Sequence, residues 1–232
     1  GLKVAHLLVE GEKVTPILLE CISELYEAAQ VERLFTDNTF QTAYHAPISS
    51  DLEFLLARIL VHFSTLKGLQ WNILLRKQEQ KTAPDIRIKK GDKTLAIVEV
   101  KAKAGWIQHF FSNEKAEKDR LRFVSKKSDL DPDVSIRKMK SQLDKYGSVF
   151  DDLKPDNVFL FLPTLCHVHR KKSGRELEDY QNDFVRNSGL KKDNLILLSS
   201  NKNLDLAQSI IKQDMKPTSF FEEFIKRIEK IT

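Results

Sequence analysis

The pattern of hydrophobic and polar positions predicts helices that alternate with short strands. Residues 3–10 form a short apolar segment, for which we expect a strand. Apolar side chains at helical spacing then predict two amphipathic helices, over residues 17–29 and from residue 50 to Gly68. Thr15 and Pro16 precede the first of these helices and suit its N-cap and first helical position.

The rest of the pattern predicts five strands and further helices. We expect the strands at 70–76, on both sides of the turn "KKGDK" within 83–103, at 157–163 and at 194–200. We expect helices at 173–188 and 218–231, and also within 113–147, where Asp131-Pro132 breaks one helix before the next begins. This order favours one α/β domain over 1–232, with a mixed central sheet covered by helices on both faces. We expect an N-terminal accessory helical segment over 1–48 and a C-terminal helical segment over 201–232.

Charged residues interrupt the predicted hairpin. Alternate residues of a strand share a face, so Glu99 and Lys101 lie on one face of the second strand. An odd-numbered turn centred on Asp92 would place Asp85 opposite Glu99, with Cβ atoms about 4.5–5.5 Å apart. A two-residue turn of Gly91 and Asp92 would instead put the two carboxylates on opposite faces, and the sequence permits either turn.

Paired carboxylates of this kind suit a divalent cation. Two carboxylates at that distance repel each other, and a bound cation removes the repulsion. Mg²⁺ prefers oxygen ligands and keeps several of its waters, so Asp85 and Glu99 with one carbonyl would form a suitable partial site. Lys101 points to the same side, where it can orient a water or neutralise charge that develops on a phosphate. The combination indicates metal-assisted phosphodiester hydrolysis.

The spacing of these residues resembles the signature of the PD-(D/E)XK nuclease superfamily. "PD", which ends in Asp85, is separated by thirteen residues from "EVK", which starts at Glu99, and the two fall on neighbouring predicted strands. The resemblance implies the restriction-endonuclease-like αβββαβ core over about 50–200. It also implies that Asp85 and Glu99 bind Mg²⁺, or Mn²⁺ as a substitute, that the Val100 carbonyl completes the inner shell, and that Lys101 positions the attacking water.

Two further features fit the resemblance. Gln142 and Tyr146 match the Q-x-x-x-Y pattern of RecB-like members and share a helix face at i and i+4, which implies a role in orienting Lys101 or the backbone phosphate. Glu53 lies on the helix before the strands, where many members carry an additional acid that binds or supports the metal. The alternative is a capping box, in which Glu53 reaches back to the amide of Ser50.

The charge distribution is compatible with a polyanionic partner. The chain has a net charge of +5, and residues 101–145 carry twelve Lys and Arg against seven Asp and Glu. Such a basic segment attracts nucleic acid, and a solvated helical face is the alternative. We expect residues 113–145 and the loop at 169–175 to follow the phosphates.

Two other features bear on the compartment. No apolar run approaches the length of a membrane span, and the N-terminus lacks the apolar core of a signal peptide, so we expect a cytoplasmic protein with no membrane partner. Cys21 and Cys166 lie far apart without CxxC spacing, which favours free thiols in a reducing compartment.

Together these features predict a Mg²⁺-dependent endonuclease. The resemblance implies double-stranded DNA as the substrate, in restriction or anti-phage defence, and double-strand cutting would favour a homodimer. One alternative is a non-catalytic nucleic-acid-binding module with the same fold. Another is an RNA endonuclease of the viral cap-snatching type, in which a helix histidine, here His62, ligates the metal. For His167 and His169 we expect a surface or phosphate-contacting role, with zinc binding as the alternative.

Overall fold

Five strands form one mixed sheet within the described part of the chain. The structure is a computed structural model, and it describes residues 1–25, 48–79, 82–101, 132–164, 176–200 and 215–231. The strands are β1 (Asn72–Leu75), β2 (Ile86–Lys90), β3 (Lys93–Val100), β4 (Val158–Thr164) and β5 (Leu195–Ser199). They lie side by side in chain order. The β1–β2 and β2–β3 pairs are antiparallel, whereas β3–β4 and β4–β5 are parallel.

Helices precede, interrupt and follow these strands. They are α1 (Leu2–Val9), α2 (residues 15–25), α3 (Ile48–Lys67), α4 (Pro132–Val149), α5 (Leu177–Ser188) and α6 (Phe220–Ile231). Short 3-10 turns, Pro155–Asn157 and Lys192–Asn194, lead into β4 and β5. Helix α3 ends just before Gly68, as predicted, and Gly68 takes the positive φ of +65° that suits a residue following a helix. The predicted mixed α/β architecture is confirmed.

The strand expected over residues 3–10 is wrong, because this segment folds as helix α1. Its buried side chains are Val4, Ala5 and Leu8, which lie on one side of a helix at i, i+1 and i+4. In a strand, Val4 and Ala5 would point to opposite faces. Helix α1 packs against α3, so its apolar side chains are buried in a helix–helix contact rather than in the sheet.

Helices cover both faces of the sheet, as the sequence predicts. On one face, alternate strand residues such as Val98 and Phe159 pack with side chains from α1, α2, α3 and α6. On the other face, Ile97 packs with Tyr146 of α4, and residues of β4 and β5 pack with α5. Glu99 lies two residues after Ile97 on the same strand, so its side chain faces α4.

The hairpin between β2 and β3 turns on two residues, Gly91 and Asp92, and the odd-numbered turn is therefore wrong. A β-bulge then shifts the register, with Leu95 as the extra residue. The pairs are Lys90 with Lys93 and Lys89 with Thr94 before the bulge, and Ile88 with Ala96, Arg87 with Ile97 and Ile86 with Val98 beyond it. Continued by one residue, this register places Asp85 opposite Glu99. The expectation that a two-residue turn would separate the carboxylates is wrong, because the bulge restores their alignment.

The N-terminus of α2 is capped by a side chain from the last helix. The backbone N–H groups of Val14 and Thr15 both donate to Glu222 Oε1 at 2.8 Å, and the Thr15 hydroxyl donates to Glu222 Oε2 at 2.8 Å. Thr15 itself is already helical. The expectation that Thr15 is the N-cap is therefore wrong, and Glu222 satisfies the free N–H groups of this helix end.

Two further findings concern membrane spans and cysteines. None of the described helices combines the length and the apolar character that crossing a bilayer requires. The Cys21 thiol is free. Cys166 lies outside the described residues.

Candidate active site

A cluster of charged side chains lies where β2 begins and β3 ends. Asp85 precedes β2, Glu99 is the penultimate residue of β3, and Lys101 follows β3. The Lys101 Nζ atom donates to Asp85 Oδ2 at 3.5 Å and to Glu99 Oε2 at 3.2 Å. One ammonium therefore bridges both carboxylates. The predicted meeting of these three side chains on one side of the sheet is confirmed.

Helix α4 adds Gln142 and Tyr146 to the cluster. The Tyr146 hydroxyl donates to Glu99 Oε1. The Gln142 Nε2 group donates to Glu99 Oε2 at 3.4 Å and to the Tyr146 hydroxyl oxygen at 2.7 Å. The two side chains lie one helical turn apart on the face of α4 that covers the sheet. Both oxygens of Glu99 thus receive hydrogen bonds from the two residues of the Q-x-x-x-Y pattern.

The backbone of β3 holds Asp85. The Val100 N–H donates to Asp85 Oδ2 at 2.9 Å, the same oxygen that Lys101 contacts. Asp85 Oδ1 accepts no hydrogen bond from the described residues. The fixed orientation of this carboxylate follows from the bulge, which brings Asp85 beside the end of β3. A metal-binding role for the Val100 carbonyl stays a prediction.

The two carboxylates differ in how far they are buried. Glu99 is 1% exposed, whereas the Asp85 side chain is 19% exposed. Burial raises the pKa of Glu99, the charge of Asp85 raises it further, and the contacts with Lys101 and Tyr146 offset only part of this increase. Glu99 therefore binds a proton more readily than an ordinary glutamate, unless a cation reaches it.

The surrounding groups keep Lys101 and Tyr146 protonated at neutral pH. Burial lowers the pKa of Lys101, but the charges of Glu99 and Asp85 together outweigh it, so the pKa of Lys101 is raised. Burial and the Glu99 charge also raise the pKa of Tyr146 well above its ordinary value. Both side chains thus act as hydrogen-bond donors toward the carboxylates.

The donor set of this cluster fits a hard divalent cation. Two carboxylates face one ammonium, which leaves a net charge of minus one when both are ionised. Within the described ranges, no group of three or more His, Cys, Asp or Glu side chains is arranged to hold a metal. Mg²⁺ does not need such a group, because it is commonly bound by one or two carboxylates and keeps several waters. Asp85 and Glu99 are the residues that would hold it.

The structure places Glu53 in an ion pair instead of a capping box. Glu53 is 2% exposed, and it accepts hydrogen bonds from Arg76 Nε at 2.5 Å and Arg76 Nη2 at 2.6 Å. Helix α3 begins at Ile48, so Ser50 lies inside the helix and the capping-box interpretation is wrong. A metal-supporting role for Glu53 stays a prediction.

Arg76 is a site residue that the sequence analysis missed. It follows β1, and its N–H donates to the Asp85 carbonyl at 3.0 Å, so it lies beside Asp85 in the sheet. Its hydrogen bond to Glu53 raises the pKa of its guanidinium, and Asp85 adds to that increase. An arginine after a short strand carries no distinguishing signal in a single sequence. Only the pairing of β1 with β2 reveals its place.

Arg87 lies two residues after Asp85 and shares its face of the hairpin. It is buried, and its guanidinium lies 4.0 Å from the ring centroid of Phe150, just beyond α4. It also donates to Thr94 Oγ1 at 3.0 Å and forms an ion pair with Glu79. Phe150 follows Tyr146 by one helical turn, so this contact helps to hold α4 against the hairpin.

The remaining candidates lie away from this cluster or outside the described residues. His62 is half-buried on α3 beside Gly1, and it takes no part in the hydrogen bonds around Lys101. Outside the described residues lie His167, His169, the loop at 169–175 and most of the basic segment at 113–145. No family model, curated protein or solved structure matches this chain.

Proposed function

We propose that this chain is a Mg²⁺-dependent endonuclease that hydrolyses phosphodiester bonds of double-stranded DNA. One observation carries the proposal: a single ammonium, that of Lys101, contacts the carboxylates of Asp85 and Glu99 at the end of a hairpin. Gln142 and Tyr146 fix the buried one of these carboxylates. Two acids, the Lys101 amine and the Gln142 amide are the groups that the PD-(D/E)XK resemblance implies.

The order of the elements supports the same proposal. Helix α3, the three antiparallel strands β1 to β3, helix α4 and the parallel strand β4 follow one another in the order αβββαβ. We propose on this basis a restriction-endonuclease-like core over about 50–200. The restriction or anti-phage role and the homodimer rest on the resemblance alone.

The proposed chemistry divides between the residues of the cluster. Bound by Asp85 and Glu99, Mg²⁺ would supply Lewis acidity to the scissile phosphate and lower the pKa of a water. The protonated Lys101 would hydrogen-bond the attacking water or stabilise negative charge on the phosphate. Gln142 and Tyr146 are positioning residues that hold the Glu99 carboxylate in one orientation.

Cleavage of supercoiled plasmid DNA tests the proposal. We expect the wild-type protein to nick and linearise the plasmid in Mg²⁺ and not in EDTA. Lys101→Met should lower the cleavage rate by at least about a hundredfold, because it removes a donor aimed at the reacting groups. Lys191→Met is the matched control, since Lys191 also pairs with a carboxylate, that of Asp156, but lies before β5 at the opposite end of the sheet.

Other outcomes point to the alternatives. Binding of DNA without cleavage of any nucleic acid would favour the non-catalytic module. Preferential cleavage of single-stranded RNA, lost on substitution of His62, would favour the RNA endonuclease. Equal rates for Lys101→Met and the wild type would contradict the proposed site.

A further inference from the structure

Arg76 is the more accessible of the two cations at the candidate site. Its side chain is 51% exposed, whereas that of Lys101 is 21% exposed and already contacts two carboxylates. Its backbone N–H bonds to the carbonyl of Asp85, so it stands beside the residue that we assign to the metal. The charge of Asp85 also raises the pKa of the Arg76 guanidinium, so the two charged groups are close enough to interact and a phosphate at Asp85 would lie near both.

Glu53 fixes this guanidinium in one orientation. The buried carboxylate accepts from Nε and Nη2, which uses two of the five N–H donors of the arginine. Three N–H donors are left for another group. An arginine held in this way loses less conformational freedom when it binds an anion, and the planar fork matches a phosphate oxygen pair.

The backbone of Arg76 is strained in the same place. Its φ is +44°, in the left-handed region that arginine rarely adopts. Strained residues of this kind tend to cluster at functional sites, and the strain is kept where the geometry serves binding or catalysis. Here the strain accompanies a side chain that pairs with α3 while its backbone stays bonded to Asp85.

We propose that Arg76 binds a phosphodiester anion of the DNA substrate beside Asp85, and that Glu53 positions Arg76 rather than ligating the metal. The inference deepens the proposed function and rests on it. Glu53 is accordingly a positioning residue, and the pair forms a phosphate clamp, defined here as Glu53 with Arg76.

The phosphate clamp can be removed without a change in net charge. The double variant Glu53→Gln/Arg76→Gln deletes one negative and one positive charge and leaves two amides that can still hydrogen-bond in the buried position. Any loss of DNA affinity then cannot come from the overall charge of the protein. The matched control is Asp156→Asn/Lys191→Gln, which removes an exposed ion pair before β4 and β5.

Fluorescence anisotropy with a fluorescein-labelled 20-base-pair duplex, in EDTA and over a series of NaCl concentrations, provides the readout. We expect the double variant to bind about tenfold more weakly than the wild type. The slope of the logarithm of the association constant against log[NaCl] is negative, and its magnitude should decrease by about 0.9, the value for one lost phosphate contact. A residue with only a structural role would leave that slope unchanged. Glu53→Gln alone should bind DNA more weakly than the wild type despite its added positive charge, because Arg76 loses the carboxylate that orients it, and unchanged or tighter binding would contradict the positioning role of Glu53.

The arms of the experiment separate this inference from the proposed function. A wild type that cleaves DNA together with a double variant of unchanged affinity and slope would overturn the inference alone. A wild type that binds DNA but does not cleave it, together with a double variant whose salt slope is reduced by about 0.9, would support the inference and overturn the nuclease. Absence of DNA binding by the wild type overturns both. Should the double variant fail to fold, Arg76→Lys carries the test, since it keeps the ion pair but loses the fork, and unchanged affinity would again overturn the inference.

Discussion

Glu99 is the residue on which the electrostatics of the site depend. A carboxylate with 1% exposure is destabilised in its charged form, and three side chains, Lys101, Gln142 and Tyr146, donate hydrogen bonds to it. These donors compensate only in part, because the pKa of Glu99 remains raised. Further positive charge near Glu99 would therefore stabilise its charged form, which is the property expected of a carboxylate that binds a cation.

The raised pKa of Glu99 predicts how stability depends on pH in the absence of metal. Between the ordinary value of 4.5 and the raised pKa, the folded protein holds a proton that the unfolded chain has released. The contribution of Glu99 to the free energy of unfolding therefore falls as the pH rises through this window, by up to about 1.4 kcal/mol per pH unit. Glu99→Gln should remove this contribution. Urea denaturation between pH 5 and 8 in EDTA measures both slopes.

A control distinguishes Glu99 from glutamates in general. Glu20→Gln changes an exposed carboxylate on α2 and should leave the wild-type slope in place. If wild type and Glu99→Gln show the same dependence on pH, Glu99 does not titrate in this window and the account of its burial is wrong.

At the scale of elements, the hairpin shows how a local irregularity creates the site. With a two-residue turn and no bulge, Asp85 would pair with the residue before Glu99, and the two carboxylates would point to opposite faces of the sheet. The extra residue, Leu95, shifts the register by one and places the two acids opposite each other. β-bulges commonly occur next to active sites for this reason. The geometry of the cluster thus depends on the bulge as much as on its charged residues.

The contact between α6 and the start of α2 predicts a stability effect at this scale. Glu222→Ala should lower the free energy of unfolding by about 1–3 kcal/mol, because the N–H groups of Val14 and Thr15 lose a charged acceptor. Glu223→Ala is the matched control. It removes the same charge from the same helical turn, but its carboxylate accepts a hydrogen bond from the Ser219 hydroxyl rather than from the start of α2, and it should change stability by less than about 0.5 kcal/mol. Urea denaturation measures both, and equal effects would contradict the capping role.

Element types were predictable from the sequence where the pattern was long or the strand fully buried. Helix α3 and strands β4 and β5 follow their expected positions closely. Helix α1 did not, because eight residues with an apolar pair at Val4 and Ala5 fit a strand as well as a helix until α3 is known to lie beside them. Short apolar segments owe their structure to the element that covers them.

Contacts between distant parts of the chain could not be predicted in the same way. Asp85, Glu99 and Lys101 were found because their spacing along two neighbouring strands limits where they can lie. Glu222 and Arg76 were not found, because their partners depend on how whole helices and strands pack. A single sequence gives no register for such packing.

At the scale of the molecule, the site lies at the end of the sheet where β2 begins and β3 ends, between helices that cover the two faces. Helix α3, on one face, supplies Glu53, and helix α4, on the other face, supplies Gln142 and Tyr146. The strands between them supply the acids, Lys101 and Arg76. The charges of Glu53, Asp85 and Glu99 exceed those of Arg76 and Lys101 by one, when all are ionised. A cation that binds here would neutralise this excess negative charge and would therefore raise the free energy of unfolding of the whole protein.

Mg²⁺ should accordingly raise the thermal stability of the whole protein, independently of any cleavage. A ligand that binds only the folded state at ten times its dissociation constant stabilises that state by about 1.4 kcal/mol, which corresponds to a rise in Tm of about 3–6 °C for a chain of this size. Asp85→Asn should abolish the rise, since it removes one of two carboxylates. Asp156→Asn, which changes an exposed aspartate near the opposite end of the sheet, should retain it. Calorimetry with and without Mg²⁺ measures each shift, and a rise of equal size in Asp85→Asn would place the cation elsewhere on the molecule.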